Sequence, residues 1–406
     1  MVAPEAPPPT IVEIVPAPAP EPEVFESTAW NPKLQLHGFV SEGGFVSTDN
    51  EFIGTSSRGS LKLLEVGVNV TLELLDQLRV GVQLVVRSVG TVSEDAPRLD
   101  WAVVDYRLQP WLGLRAGVIK LPLGLYNEYV DIDSARTAIL MPQSLYKIRN
   151  RDALISHTGF AVYGALSIGD VGALDYQAWL GTLSIPPSAL ELTTGTLDSV
   201  DTKYVTGGQL FWRLPLEGLR VGATYMRAEI DFHVTLDPAT ITQLIVFGAV
   251  PSGYDGKVLV KQRPTGIWVA SAEYTVGDWL FAAEYSRWLK HQETSLPDVI
   301  ATIDEEAERF YGLATYRLTP HYELGIYYSV TVADVDDRGG RSENLTEDFQ
   351  AWQRDLAATI RIDINDYWLW KLEGHFIDGV AELQASQNPS PERYWGLFLF
   401  RTTVTF

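Results

Sequence analysis

The chain of 406 residues contains no cysteine and only three methionines. Disulfides, thiol chemistry and cysteine-based zinc sites are therefore excluded. Basic residues are also in deficit, 31 Lys and Arg against 52 Asp and Glu. A formal charge of −21 argues against a nucleic-acid partner. No apolar run approaches the roughly 18 uninterrupted residues of a membrane-crossing helix. Met1 is followed by Val, Ala, Pro and Glu rather than by a basic and then apolar leader, so an exported protein is read here in a mature form. The six histidines, His37, His157, His233, His291, His321 and His375, show no metal-protease spacing, and no Gly-rich phosphate loop ends in Lys-Ser or Lys-Thr. The expectation is a protein without metal, cofactor or catalytic centre, and not an enzyme.

Two regimes divide what is present. Residues 1–32 alternate Pro with Ala, Glu and Val, a composition that favours extended polyproline II and builds no core. From Lys33 onward a period of two takes over. Val66, Val68, Val70, Leu72 and Leu74 alternate with Gly67, Asn69, Thr71 and Glu73; Val80, Val82, Leu84 and Val86 alternate with Arg79, Gln83 and Arg87. This unit recurs to the C-terminus and predicts about sixteen strands of about ten residues, the length that crosses a bilayer when tilted. Turns such as Asp76-Gln77, Gln109-Pro110, Gly277-Asp278 and Asn365-Asp366 are short. Between them lie long polar stretches near 48–58, 89–98, 121–157, 183–203, 231–264, 291–307, 332–352 and 381–392.

The two strand faces decide the environment. One parity is almost purely apolar and includes Leu34, Val68, Val82, Ala116, Phe281, Leu324 and Phe400. The other carries Arg79, Arg87, Asp105, Arg107, Arg115, Glu273, Glu284, Glu323, Lys371, Glu373 and Arg401, with Gln83 and Thr359 among them. A soluble barrel would reverse this arrangement; polar-in and apolar-out places a water-filled lumen in lipid. Trp111, Trp279, Tyr367, Trp368 and Trp370 stand beside short turns, where an interfacial aromatic girdle belongs. Phe398, Phe400, Thr402, Val404 and Phe406 share the apolar parity up to the last residue. The fold class is therefore all-β: a transmembrane antiparallel β-barrel over 33–406, preceded by a Pro-rich periplasmic tail over 1–32.

One segment breaks the alternation. From Leu121-Pro-Leu-Gly124 onward about 35 residues lack strand periodicity, a length that is usually functional or disordered. Tyr126, Tyr129, Ile139, Leu140, Leu145, Tyr146 and Ile148 argue against disorder, so the segment is expected to fold into the barrel and narrow it. Arg79, Arg87, Arg107 and Arg115 point inward by parity, and Lys147, Arg149 and Arg151 alternate within the loop. Together with Asp105, Asp131 and Asp133 they form the candidate constriction. They could act on permeating ions; alternatively, they pair with Asp105, Asp131, Asp133 and Asp152 to hold the loop against the wall.

Ala102-Val-Val-Asp-Tyr-Arg-Leu108, Leu114-Arg-Ala-Gly-Val-Ile-Lys-Leu-Pro-Leu-Gly-Leu125, Tyr126-Asn-Glu128, Met141-Pro-Gln-Ser-Leu-Tyr146 and Val162-Tyr-Gly164 resemble the phosphate-selective porin O and P family. The resemblance covers roughly residues 99–165. It implies a sixteen-stranded barrel in the bacterial outer membrane, a homotrimer, and a third outer loop folded into the pore. The expected function is passive diffusion of small hydrophilic solutes or ions. A solute-selective channel for anions or phosphate is the alternative, as is a structural anchor whose tail binds a periplasmic or cell-wall partner.

Overall fold

A computed structural model describes residues 32–406 apart from 94, 150, 187–193, 298 and 343–344. The Pro-rich tail lies, Pro32 excepted, outside the described residues. Sixteen antiparallel strands close on themselves, each paired with its sequence neighbours and β1 with β16. They are β1 (Lys33–Ser47), β2 (Leu63–Leu75), β3 (Leu78–Val89), β4 (Arg98–Gln109), β5 (Leu112–Lys120), β6 (Ser156–Ser167), β7 (Ala173–Leu183) and β8 (Gly195–Arg213). The second half comprises β9 (Leu219–Leu236), β10 (Lys257–Val276), β11 (Trp279–Ser295), β12 (Ile300–Thr319), β13 (Tyr322–Val332), β14 (Trp352–Asn365), β15 (Trp368–Gly379) and β16 (Tyr394–Thr405). Closure removes the free edges, so every strand backbone can be hydrogen-bonded within the wall, as a lipid environment demands.

The seam is sealed at the C-terminus. Gly38 and Phe406 exchange backbone hydrogen bonds of 2.9 and 3.0 Å. The Phe406 ring lies where a side chain at position 38 would stand: a Cβ there would fall 2.3 Å from its Cζ. Glycine at 38 is thus a steric requirement of the closing contact.

Side-chain parity follows the alternation. Leu34 is 70% exposed on the outside, whereas Thr359 is 4% exposed on the inside. Val82, Phe281 and Leu324 are exposed outward; Gln83 is buried inward. Trp279 stacks on Phe281 and contacts Tyr316 beside one set of turns, and Trp368 meets Trp370 there too. At the other rim Trp268 meets Tyr285. These two aromatic levels bound the apolar band that faces lipid.

The structure corrects the loops expected at 183–203, 231–264 and 291–307. β8 starts at Gly195, β9 runs to Leu236, β10 starts at Lys257, and only residues 296–299 separate β11 from β12. The strands continue past the aromatic rim with exchanged polarity. On β9 the outward parity becomes Arg227, Glu229, Asp231 and His233, while the inward parity becomes Met226, Ala228, Ile230, Phe232 and Val234. The outward charges pair across strands, Arg263 with Glu229 and Glu293, and Arg287 with Glu306. The apolar-out pattern therefore stops where lipid stops, although the strand does not. A short helix, α1 (Arg151–Leu154), lies before β6, and a second, α2 (Pro238–Val246), lies between β9 and β10.

Candidate pore constriction

Loop 121–155 lies inside the barrel and touches the wall on several sides. Leu121, Leu123, Leu125, Met141, Leu145 and Tyr146 pack in one cluster with Trp179, Val205, Phe211, Met226, Ile267 and Tyr311 of the β7–β12 wall. Ile139, Leu140 and Ile148 pack with Leu63, Val89, Ile377, Trp395 and Leu399 on the opposite side. Ala138 joins Tyr327 and Ala357 between these two contacts. Each such aliphatic or aromatic side chain contributes about 1.5–3 kcal/mol if fully buried.

Polar anchors complement this packing. The Glu284 carboxylate on β11 accepts from Leu125 N at 2.9 Å and Tyr311 Oη at 2.7 Å, and also from Tyr146 Oη and Ser271 Oγ. Glu373 on β15 accepts from Ile139 N at 2.6 Å and Leu140 N at 2.8 Å, with Thr359 Oγ1 at 2.6 Å. Tyr126 Oη donates to Glu273 at 2.7 Å, and Thr137 Oγ1 donates to Glu323. Wall carboxylates on four strands thus receive loop backbone or hydroxyl donors that would otherwise be buried without partners. Gly124 is part of the fit, with φ +63° and a hypothetical Cβ 2.6 Å from Glu284 Oε1.

The ten residues singled out in the sequence occupy three levels. Nearest the short turns, Asp105 accepts from Arg79 at 3.0 Å and Arg115 at 3.1 Å, while Arg115 lies 4.1 Å from the Tyr163 ring centre. Arg107 is exposed beside them. At mid-height Arg87 bridges Glu65 at 3.0 Å and Asp152 at 2.8 Å. Arg151 meets Glu65 at 3.1 Å and pairs with Asp131. Asp133 lies 3.0 Å from Lys371, 3.6 Å from Arg136 and 3.7 Å from Arg401. Highest, Lys147 pairs with Glu382 of the last outer loop at 2.6 Å, and Arg149 donates to the Phe52 carbonyl of the first. Asp105, Arg115 and Arg79 are thus brought together, and so are Arg87, Asp131 and Arg151. Lys147 and Arg149 stand apart from both groups.

Charge balance explains how so many ions are accommodated away from water. Burial alone would raise the Asp133 carboxyl, but Lys371, Arg401 and Arg136 hold it well below the usual carboxylate range. Burial pushes the Lys147 ammonium down to about 8, Arg309 adds to the effect, and Glu382 opposes it. Removing one member of such a buried pair typically costs about 3–5 kcal/mol, because the remaining charge is left without a partner.

Several participants escaped the sequence reading. Glu65 binds Arg87 and Arg151, Lys120 pairs with Asp131, and Asp100 holds Lys120 Nζ at 2.6 Å. Inward parity was available for Glu65 on β2, but parity carries no height and names no partner. Parity places Glu284 and Glu373 on the inner face but supplies no link to the loop. Gln83 and Thr359 also face inward, yet they are covered rather than open to the lumen.

No protein-family model and no curated protein matches the chain. Solved structures do. An anion-selective porin from Comamonas acidovorans has a TM-score of 0.57 at 12% identity, covering 93% of this chain and 100% of that one. The outer membrane channel DcaP of Acinetobacter baumannii has a TM-score of 0.54 at 11% identity, covering 94% and 99%. A trimer form of OmpT, an outer membrane protein of Vibrio cholerae, has a TM-score of 0.52 at 11% identity, covering 92% and 99%. The fold is that of bacterial outer-membrane porin barrels. The narrower likeness to phosphate-selective porins rests on residues 99–165 alone.

Proposed function

We propose that the chain is an outer-membrane porin through which small hydrophilic solutes or ions diffuse passively, with loop 121–155 narrowing the pore. The observation that carries this reading is the position of the loop inside a barrel whose lumen wall bears charge on many strands. In this reading Arg79, Arg107 and Arg115 line the inner mouth. Lys147, Arg149 and Arg151 hold the loop and bias the field around it. Homotrimeric assembly belongs to the same proposal and is supported by likeness to a barrel with a trimer form. Anion or phosphate selectivity is the second reading, favoured by the exposed Arg107; the Asp105 carboxylate between Arg79 and Arg115 weakens it. Planar-bilayer recording in a salt gradient is the test. Discrete conductance steps support the channel. Their absence in both the wild-type chain and a chain lacking residues 128–152 would reject it in favour of a structural anchor.

A further inference from the structure

The tall wall at the outer end encloses a cavity that the pore reading does not use. Its volume is about 390 Å³ and it is lined by inward-facing residues of β8–β11 together with α2. Leu197, Val234 and Val258 are aligned across three adjacent strands, and all three are buried. Leu244 of α2 contributes another side, and Gln292 and Thr294 of β11 supply polar groups. The helix is set over the strands by its N-cap: Asp237 accepts from Thr240 N at 2.8 Å, and Pro238 opens the first turn.

Charge distinguishes this cavity from the others. The cavity of about 300 Å³ between the loop and β11–β14 is lined by Arg317, Glu323 and Arg361. That of about 270 Å³ at β2–β5 is lined by Arg79, Asp105 and Arg115. The volumes are comparable, but no charged side chain lines the upper cavity among the described residues. Lipid does not account for its apolar surface, because it faces inward and the outward side at that height carries His233, Lys261 and Glu293.

We propose that this cavity is a binding site for a small, uncharged and largely apolar ring compound arriving from the outer side. Its size falls within the roughly 300–1,000 Å³ of small-molecule sites, which are mostly apolar with a few placed polar groups. An ion entering it would lose hydration and find no counter-charge. A neutral ring would cover Val234 and Val258, and a hydroxyl or carbonyl on it could bond Gln292 or Thr294. The site is too small and too enclosed by α2 for a folded partner. It does not depend on whether the pore conducts.

The test uses the full chain in lipid nanodiscs and a phenol carrying a photoreactive diazirine, with labelled residues mapped by mass spectrometry. The expected result is labelling at the cavity that excess 4-methylphenol suppresses, alongside unsuppressed labelling of the lipid-facing Leu114 and Phe160. Val258→Phe and Val260→Phe, made separately, should each fill the space and reduce cavity labelling at least tenfold. Val234→Asp should do the same through charge. Circular dichroism and heat-modifiable migration verify that the barrels are native. Labelling confined to lipid-facing residues, cavity labelling that excess competitor leaves unchanged, or full cavity labelling in a native Val258→Phe or Val260→Phe barrel would each overturn the proposal.

Discussion

Glu284→Gln should loosen the loop while leaving the wall closed. Each Glu284 oxygen accepts two hydrogen bonds, one from Leu125 N and Ser271 Oγ, the other from Tyr146 Oη and Tyr311 Oη. The substituted amide retains one acceptor oxygen and turns the other into a donor. Of the two charge-assisted bonds then lost, only one, from Leu125 N or Tyr146 Oη, joins the loop to the wall, and it is worth about 1.5–3 kcal/mol. Loop opening is eased by that amount, or roughly a 10- to 150-fold rise in the open fraction at 1.4 kcal/mol per decade. The absence of cysteine permits a clean readout. Met141, a loop residue 4% exposed and packed against the wall, becomes a reporter as Met141→Cys. Its labelling by a water-soluble thiol reagent should accelerate by that factor when Glu284→Gln is added, provided opening is fast relative to labelling. Equal rates with and without Glu284→Gln would refute the idea that this carboxylate latches the loop.

Removing residues 128–152 should raise single-channel conductance, and a chain that folds and conducts as before would place the loop's effect outside the pore. Selectivity should titrate through Lys147, whose ammonium is lowered from 10.5 to about 8. Below that pH the cation and its pair with Glu382 persist; above it the charge is lost, so reversal potentials should move toward cation preference with a midpoint near 8. Lys147→Met should abolish that step. The linked stability has the same origin: between the native value of about 8 and the ordinary 10.5 the unfolded chain binds the extra proton, so this group's contribution to stability rises with pH across that window. Gly124→Val should release the loop more severely than Glu284→Gln, because it combines a positive φ with a Cβ in contact with Glu284 and Tyr146; thiol labelling of Met141→Cys checks this. Cysteines at Arg79 and Arg317, whose side chains are half-exposed inside, should react with a water-soluble reagent, whereas cysteines at Val82 and Phe281 in lipid should resist it.

Much of the barrel was legible because its determinants are local. Val66 to Leu74 and Val80 to Val86 alternate with polar neighbours, and a strand's side chains change face at every residue. The bilayer selects which parity faces outward, so lipid exposure at Val82 or Phe281 follows from the chain alone. The short turn at Asp76-Gln77 and the even number of strands likewise follow from spacing. An apolar excess in a segment without alternation was enough to suggest that loop 121–155 needs a surface. The sequence could not specify that surface. Leu125 reaches Glu284 across 159 positions and Ile139 reaches Glu373 across 234. Such pairs depend on height in the lumen, which strand tilt and register determine together. The upper wall was misread for a related reason: on β9 the alternation continues through His233 and Val234, but its polarity exchanges once the outside is water instead of lipid. Period two identifies a strand and divides its faces. Only the closed barrel decides which charges meet, where the membrane ends, and that the apolar face beyond it encloses a cavity.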